Sequence, residues 1–412
     1  MNNIIYTSRE ELDELRNKKL RAQFLLCVQE VPFYKELYDR HGINADVVHT
    51  MRDLTSLPIV DKSVVRDRCL HPLYDKRRCL KSRSSGSTGE PFYTYFDRRS
   101  WFMKKYWVKY RARRACGMRF GDRVSIIDTD GDQALKKKNR LFALLFPFLN
   151  LRAFSIFDPL SITIQKIRTR KPTIIYSMPN YLFRLAREME RDGIPIDSVR
   201  LIFTSSEYLE KPVRSYIEKT FRAEVFDVYG STEFKEIAWE CERHEGYHIN
   251  EDEVICEIVK DGVPVATGEI GDIVVTDLNN KAMPLIRFNT QDKGMLIDTP
   301  CSCGRTLALL KIYGGRASDN IYLPTGELIE AFRLTTSIEY IAGLLKYQIV
   351  QTSYDALFIK VITDNDTAGD EVRKIIEDTT HHTMQVDIER CESIELEKNG
   401  KYKVVKNSID KS

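Results

Sequence analysis

Between residues 121 and 233 the chain alternates strand-like and helix-like stretches. "GDRVSIID" is followed by a helical segment at 161–171, then "PTIIYS", "NYLFRLAREMERDGI", "VRLIFTSS", "KPVRSYIEKTF" and "AEVFDVYGSTE". Short runs rich in β-branched and aromatic residues read as strands. Apolar residues recurring at helical spacing read as amphipathic helices, one of them ending at Gly193. Parallel strands cannot be joined by a tight turn, so each return requires a crossover, usually a helix. The alternation therefore predicts an α/β fold with a mainly parallel sheet.

The texture differs on either side. Residues 9–42 read as helix, closing on "VPFYKELYDRHGI". "LTSLPIVDKSVVRDR" reads as a connector through Pro58 into a short helix capped near Asp61. From 246 to 290, "YHINEDEVICEIV", "GEIGDIVVTDL" and "AMPLIRFNT" are strands separated by short turns, a small antiparallel or barrel-like section. "YGGRASDN" (313–320) has turn chemistry and marks a domain boundary. Beyond it, "KYQIVQT", "DALFIKVIT", "AGDEVRKIIEDTTHH" and "QVDIERCES" give a small α+β domain. At 412 residues the chain is long enough for two or three domains. The expected division is a large N-terminal α/β domain, 1–315, and a small C-terminal domain, 316–412.

"SRSSGSTGEP" (82–91) lies between a basic run and the strand-like "FYTYF". Glycine allows close backbone approach to a ligand, and the hydroxyls can bond phosphate oxygens. A free Gly/Ser linker would not return directly into a strand. The spacing G-x-x-x-x-G-K-[ST] is not met, since Gly86 and Gly89 are three apart and no Lys follows Gly89. That argues against a P-loop kinase or GTPase, and leaves a phosphate cradle of another kind or an ordinary surface loop.

Nine cysteines, an odd number, are spread along the chain, and the N-terminus is polar and soon heavily charged. Neither fits a secreted disulfide framework or a signal peptide. No apolar run approaches the length of a membrane span. A reducing cytoplasm is the expected setting. Two local clusters stand out, "CERHEGYH" (241–248) and "CSC" (301–303). Three thiolates and one imidazole complete a closed tetrahedral zinc site. Cys241, His248, Cys301 and Cys303 are the expected set, with His244 as the competing imidazole.

The helix at 97–116, capped by Asp97 or Ser100, interleaves Trp and Tyr with Lys and Arg. That pattern raises nucleic-acid binding as a reading of another class. The aromatic spacing is equally that of a packed helix face, and the formal net charge of the whole chain is only +3.

Further motifs stand downstream of the Gly-rich stretch: "TSSE" (204–207), "YGSTE" (229–233), "PLIRFNTQD" (284–292), "GGRASD" (314–319) and "NGKYKVV" (399–405). In this order and spacing, with "VPFYKELYDRHGI" and "LPIVDK" before them, they resemble the acyl-adenylate-forming superfamily. The branch they resemble is the phenylacetate–coenzyme A ligase-like group with its capsule-biosynthesis-associated relatives. By that resemblance Ser84, Ser85, Gly86, Ser87, Thr88 and Gly89 form the phosphate cradle. Ser205, Ser206 and Glu207 flank the adenine and the acyl pocket. Tyr229, Gly230, Ser231 and Thr232 stand at the nucleotide, and Glu233 holds Mg²⁺, a hard cation suited to carboxylate oxygen. Asp292 accepts from the ribose hydroxyls, although the family usually has Gly where this chain has Gln291. Arg316 contacts ribose or phosphate, Asp319 is the hinge about which the small domain rotates, and Lys401 is the cation of adenylation.

The resemblance implies ATP-dependent activation of a small carboxylic acid as an acyl-adenylate, catalysed with Lys401, Glu233 and Thr232. Transfer to an acceptor follows, most simply the thiol of coenzyme A. Transfer to a sugar, an amine or a carrier protein in polysaccharide biosynthesis is the alternative, and a non-catalytic scaffold is the alternative of another class. Expected cofactors are ATP, Mg²⁺, a structural Zn²⁺ and coenzyme A. The expected partners are small molecules, with no nucleic acid or membrane, and the expected state is a monomer or homodimer.

Overall fold

The computed structural model describes residues 4–66, 68–83, 92–129, 150–316, 319–397 and 401–409. The chain divides into two compact units, Met1–Cys116 with Val228–Ile312, and Gly117–Asp227 with Tyr313–Ser412. The expected boundary at residue 316 falls inside the second of these.

The second unit carries the strand–helix alternation. Arg123–Asp128 pairs in parallel with Asn150–Ser155 on one side and Ile174–Ser177 on the other, and Ile174–Ser177 pairs in parallel with Leu201–Ser205. Helices Leu160–Arg170, Pro179–Arg191 and Lys211–Phe221 fall between strands in sequence. Two of them carry Pro in the first turn, where the missing N–H has no intrahelical acceptor to lose. Two end on left-handed residues, Lys171 and Arg222. Helix Pro179–Arg191 buries Tyr181, Leu182, Leu185, Ala186 and Met189, an apolar stripe of helical period. That stripe joins Val213, Ile217 and Phe221 in one core.

The same core continues into the C-terminal segment through Leu334, Ile338, Ile349, Val361, Val372 and Ile376. There a four-stranded sheet runs in the order Gln385–Arg390, Ala356–Thr363, Leu344–Ser353, Val405–Asn407. The central pair is antiparallel and both outer strands pair in parallel. Helix Ala368–Thr379 was expected. Helix Ala331–Ile338 and strand Val405–Asn407 were not. The helix has only eight residues, so its stripe of Ala331, Leu334, Thr335 and Ile338 is too brief to stand out, and the strand spans one ladder of three residues.

In the first unit, the helix expected over 9–42 is two helices, Arg9–Glu30 and Pro32–Arg40. The break is at Val31, with φ −102° and ψ 107°. The ring of a following proline disfavours the helical region for the residue before it. An antiparallel section follows. Val254–Lys260 pairs with Gly271–Asp277, which pairs with Phe288–Ile297, while Lys235–Glu240 pairs with Tyr247–Ile249 and with Glu224–Ser231. Phe24, Tyr34, Tyr38, Phe234 and Phe288 lie in its core.

The basic helix starts at Asp97, whose carboxylate accepts the Ser100 N–H at 2.9 Å. It continues as Arg98–Phe102, a π-helical turn Met103–Trp107, and Val108–Ala115. Its charges are largely engaged within the protein. Arg111 forms a bidentate pair with Asp252, and Arg113 meets Glu236 at 2.6 Å. Lys104 is fully buried between Asp277 at 3.2 Å and Glu253 at 3.3 Å. Removing one member of a buried ion cluster strands the others without water. Lys104→Met should therefore lower unfolding stability by about 3–5 kcal/mol, read as a lowered urea midpoint. An unchanged midpoint would mean that the two carboxylates do not depend on this ammonium. Among the described residues no helix is long and apolar enough to cross a membrane.

Candidate functional site

Four metal-ligating side chains converge at one end of the antiparallel section. Cys241 follows strand Lys235–Glu240, His248 lies on Tyr247–Ile249, and Cys301 and Cys303 sit in the loop before Leu309–Arg316. Their ligand atoms all lie within 4.8 Å of one another. Cys241 Sγ and Cys301 Sγ are 3.6 Å apart, and Cys303 Sγ is 3.4 Å from His248 Nε2. Tetrahedral zinc with bonds of about 2.3 Å to sulfur and about 2.0 Å to nitrogen needs edges of roughly 3.5–3.8 Å. The quartet fits that ion with little movement.

His248 Nδ1 faces the Leu307 carbonyl at 3.4 Å, the outward hydrogen bond that orients a ligating imidazole. Burial pushes the His248 imidazole down to about 4, so Nε2 keeps its lone pair at neutral pH. Burial opposes the Cys303 thiolate, but the Arg305 N–H and side chain and the Cys301 thiol outweigh it and draw the thiol below its ordinary value. The rival imidazole, His244, is outside the quartet. It occupies a left-handed turn position and its Nδ1 lies 3.5 Å from Glu240.

The first unit also carries the residues of "YGSTE" and "PLIRFNTQD". The Tyr229 hydroxyl donates to Asp292 Oδ2 at 2.9 Å. Burial first, then the Asp292 charge, lifts this phenol well above its ordinary value, so it remains a donor. The Asp292 N–H bonds Thr290 Oγ1 at 3.2 Å. Gln291 stands at φ 66°, the backbone region that favours glycine, and its N–H bonds the Asn289 side chain at 2.7 Å. The Gln for Gly difference at this position thus keeps the glycine-like turn.

At the strand end, Gly230 is required by contact. A Cβ there would lie 2.2 Å from the Lys235 carbonyl oxygen. Ser231 Oγ accepts the N–H groups of Glu233 and Phe234, folding a turn that carries Thr232 and Glu233. Glu233 is 2% exposed and pairs with Lys62 at 3.2 Å. Lys235 bonds Ser82 and the Thr232 carbonyl and lies 4.7 and 4.9 Å from the ring centroids of Phe96 and Trp101. A carboxylate with an ammonium beside it can exchange that cation for a metal bound to phosphate. Neither lysine stood out in the sequence. Lys62 sits inside "LPIVDK", and nothing in a chain with 63 Lys and Arg distinguishes either.

The second unit carries "TSSE" and the C-terminal lysine. Tyr176 OH and Ser205 Oγ are 2.6 Å apart, and Ser206 has φ 77°. Glu207 accepts the Asn180 N–H at 3.2 Å and the Tyr402 N–H at 2.7 Å. Its carboxyl is raised by burial, against the pull of those N–H groups and of Lys346 and Lys401. The peptide unit joining Lys401 to Tyr402 therefore lies against Glu207. Asp319 pairs with Lys403 at 2.8 Å. Arg316 closes strand Leu309–Arg316. Ser84, Ser85, Gly86, Ser87, Thr88 and Gly89 lie outside the described residues, as does the side chain of Arg316.

Residues 321–408 match the family of the CapK C-terminal domain. The chain is 29% identical over 308 residues to a phenylacetate–coenzyme A ligase of Pseudomonas putida, covering 69% of this chain and 67% of that one. It is 22% identical over 375 residues to Protein CapK of Staphylococcus aureus, covering 88% and 81%. Its fold superposes with a TM-score of 0.81 on a 2-hydroxyisobutyryl-CoA ligase in the postadenylation state in complex with 2-HIB-AMP, at 19% identity over 97% of this chain and 90% of the other.

Proposed function

We propose that the chain, similar to phenylacetate–coenzyme A ligases and to Protein CapK, is a member of the acyl-adenylate-forming superfamily acting as an ATP-dependent acid–thiol ligase. The acid's carboxylate oxygen attacks the α-phosphorus of ATP. The bond to the β-phosphate oxygen breaks, releasing pyrophosphate and leaving an acyl-adenylate. A thiol sulfur then attacks the acyl carbon, AMP leaves, and the thiol proton passes to solvent. The observation that carries this reading is the pair of Tyr229 and Asp292 beside the turn of Thr232 and Glu233.

In this reading Asp292, oriented by the Tyr229 hydroxyl, accepts from both ribose hydroxyls. Glu233 would hold Mg²⁺, which neutralises phosphate charge when bound, and Lys62 keeps that buried carboxylate compensated otherwise. Ser205, Ser206 and Glu207 flank the adenine and acyl group, with Arg316 at ribose or phosphate. Residues 84–89 serve as the phosphate cradle. Cys241, His248, Cys301 and Cys303 would hold a structural zinc that ties two loops of the antiparallel section. Residues 316–412 act as the moving domain, with Asp319 as its hinge.

Coenzyme A is the acceptor favoured by the phenylacetate–coenzyme A ligases among the relatives. The match to the CapK C-terminal domain supports a second acceptor class, a sugar, amine or carrier protein.

The test is ATP–pyrophosphate exchange across a panel of small aryl and alkyl acids, using zinc-replete protein. One acid or a narrow class should give exchange dependent on Mg²⁺, and mass analysis with coenzyme A should then show the thioester. Exchange without a thioester would retain adenylation and point to the second acceptor class. No exchange with any acid would remove the reading.

A further inference from the structure

We infer that Lys346 is a positioning residue for adenylation, acting through Tyr402 to fix the peptide unit that carries Lys401. The inference rests on the reading of Lys401 as the adenylation cation and adds a residue to it. Lys346 lies on strand Leu344–Ser353 and is 2% exposed. Its ammonium donates to the Asn180 side-chain oxygen and sits 3.8 Å from the centroid of the Tyr402 ring, with the Phe183 ring at 5.3 Å. A desolvated ammonium over an aromatic face is held more firmly than an exposed one.

Tyr402 is gripped at its other end as well. Its N–H donates to Glu207 at 2.7 Å. The carbonyl of the same peptide unit, that of Lys401, accepts the Glu397 N–H at 2.8 Å. Both polar atoms of the 401–402 peptide are therefore bonded, and the ring that follows is clamped on Lys346. One residue further, Lys403 pairs with Asp319 and its carbonyl accepts from Gln348 at 2.8 Å. Asn180 links the two grips, since its N–H bonds Glu207 while its side chain receives Lys346. The Tyr402 hydroxyl is buried without a hydrogen-bond partner among the described residues, so the ring face and the backbone N–H do the holding.

A buried ion is expensive, and the Lys346 ammonium offsets part of that cost by facing the buried carboxyls of Glu210 and Glu207. Its placing role is what a split between the half-reactions distinguishes from that compensation. A mispositioned catalytic group loses rate steeply with small displacements.

Two measurements test this. The first needs no activity: amide hydrogen exchange over residues 401–405 in the intact chain. Lys346→Met and Tyr402→Ala should each speed exchange of this segment by about thirtyfold, the size of one lost desolvated cation–π contact. Tyr402→Phe should leave it unchanged. Unchanged exchange in both Lys346→Met and Tyr402→Ala would overturn the inference.

The second separates the half-reactions. Lys346→Met should slow adenylation by about tenfold or more with the KM for ATP little changed. It should spare transfer from a supplied acyl-adenylate to coenzyme A. Equal slowing of both steps would mark Lys346 as merely structural and overturn its positioning role. If Lys346→Met does not fold, Tyr402→Ala against Tyr402→Phe makes the same comparison. Slowing by Lys401→Ala with none from Lys346→Met or Tyr402→Ala removes this inference alone. No effect of Lys401→Ala removes the reading beneath it.

Discussion

Lys401→Ala should slow acyl-adenylate formation by about two orders of magnitude or more while leaving transfer from a supplied acyl-adenylate intact. Joining a carboxylate to a triphosphate brings two anions together and expels a third. A cation placed where that charge develops is worth about 10²–10³ in rate when the site is dry. In the proposed reading Lys401 is that cation. Its carbonyl is bonded to Glu397, the next N–H to Glu207, and its charge lies near the Glu207 carboxyl. In the second half-reaction no phosphorus is attacked, so a group specific to the first step is dispensable there. The measurement is single-turnover adenylation beside single-turnover thiolysis on the same variant. Wild-type adenylation by Lys401→Ala would remove the role proposed for this lysine. Glu233→Ala should differ, raising the Mg²⁺ and ATP requirement without that clean split.

Cys301→Ser should abolish zinc binding and lower unfolding stability beyond about 4 kcal/mol, the range reserved for losses such as a structural metal. Protein purified without chelator should carry about one zinc per chain, because a closed site of this donor set couples metal affinity to folding. Cys241 and His248 are fully buried and Cys301 nearly so. An apo site would therefore leave thiols and an imidazole without water and free two loops from each other. His248→Ala should lose the metal as Cys301→Ser does, whereas His244→Ala should keep it, its ring being turned toward Glu240. Metal analysis and a denaturant titration on the four proteins decide the matter. Absence of zinc from the native protein would exclude the site, and retention by His248→Ala with loss by His244→Ala would exchange the two histidines.

The parallel α/β frame was legible where strands and helices between 121 and 233 carry their own period, a local property, whereas strand Asn150–Ser155, with its mixed polar and apolar sequence, was not read. The breaks that went unseen are local too, but weak. One proline ended the helix expected over 9–42, and in the eight-residue helix Ala331–Ile338 the stripe of Ala331, Leu334, Thr335 and Ile338 spans only about two turns. The motifs "YGSTE", "PLIRFNTQD" and "NGKYKVV" were readable as hydroxyls beside a carboxylate, an Asp at a strand end and a lysine near the C-terminus, and only the family resemblance attached nucleotide roles to them.

What the chain alone determined, then, is the strand–helix alternation of the α/β frame, strand Asn150–Ser155 excepted, and the donor groups available at each turn. Tertiary structure decided the pairings, since contact across long separations leaves no trace in local composition. The quartet of Cys241, His248, Cys301 and Cys303 was expected from its donor set, but the closeness of Cys241 to Cys301, sixty positions away, is seen only in the fold. Lys62 meets the buried Glu233, and Lys346 is enclosed by Asn180 and Tyr402. The choice between two histidines four apart fell to backbone direction. A left-handed residue sends His244 toward Glu240, and the pleat of Tyr247–Ile249 turns His248 inward to the thiols. In each case a buried charge or lone pair requires a partner because water is excluded, and only the folded chain brings that partner within reach.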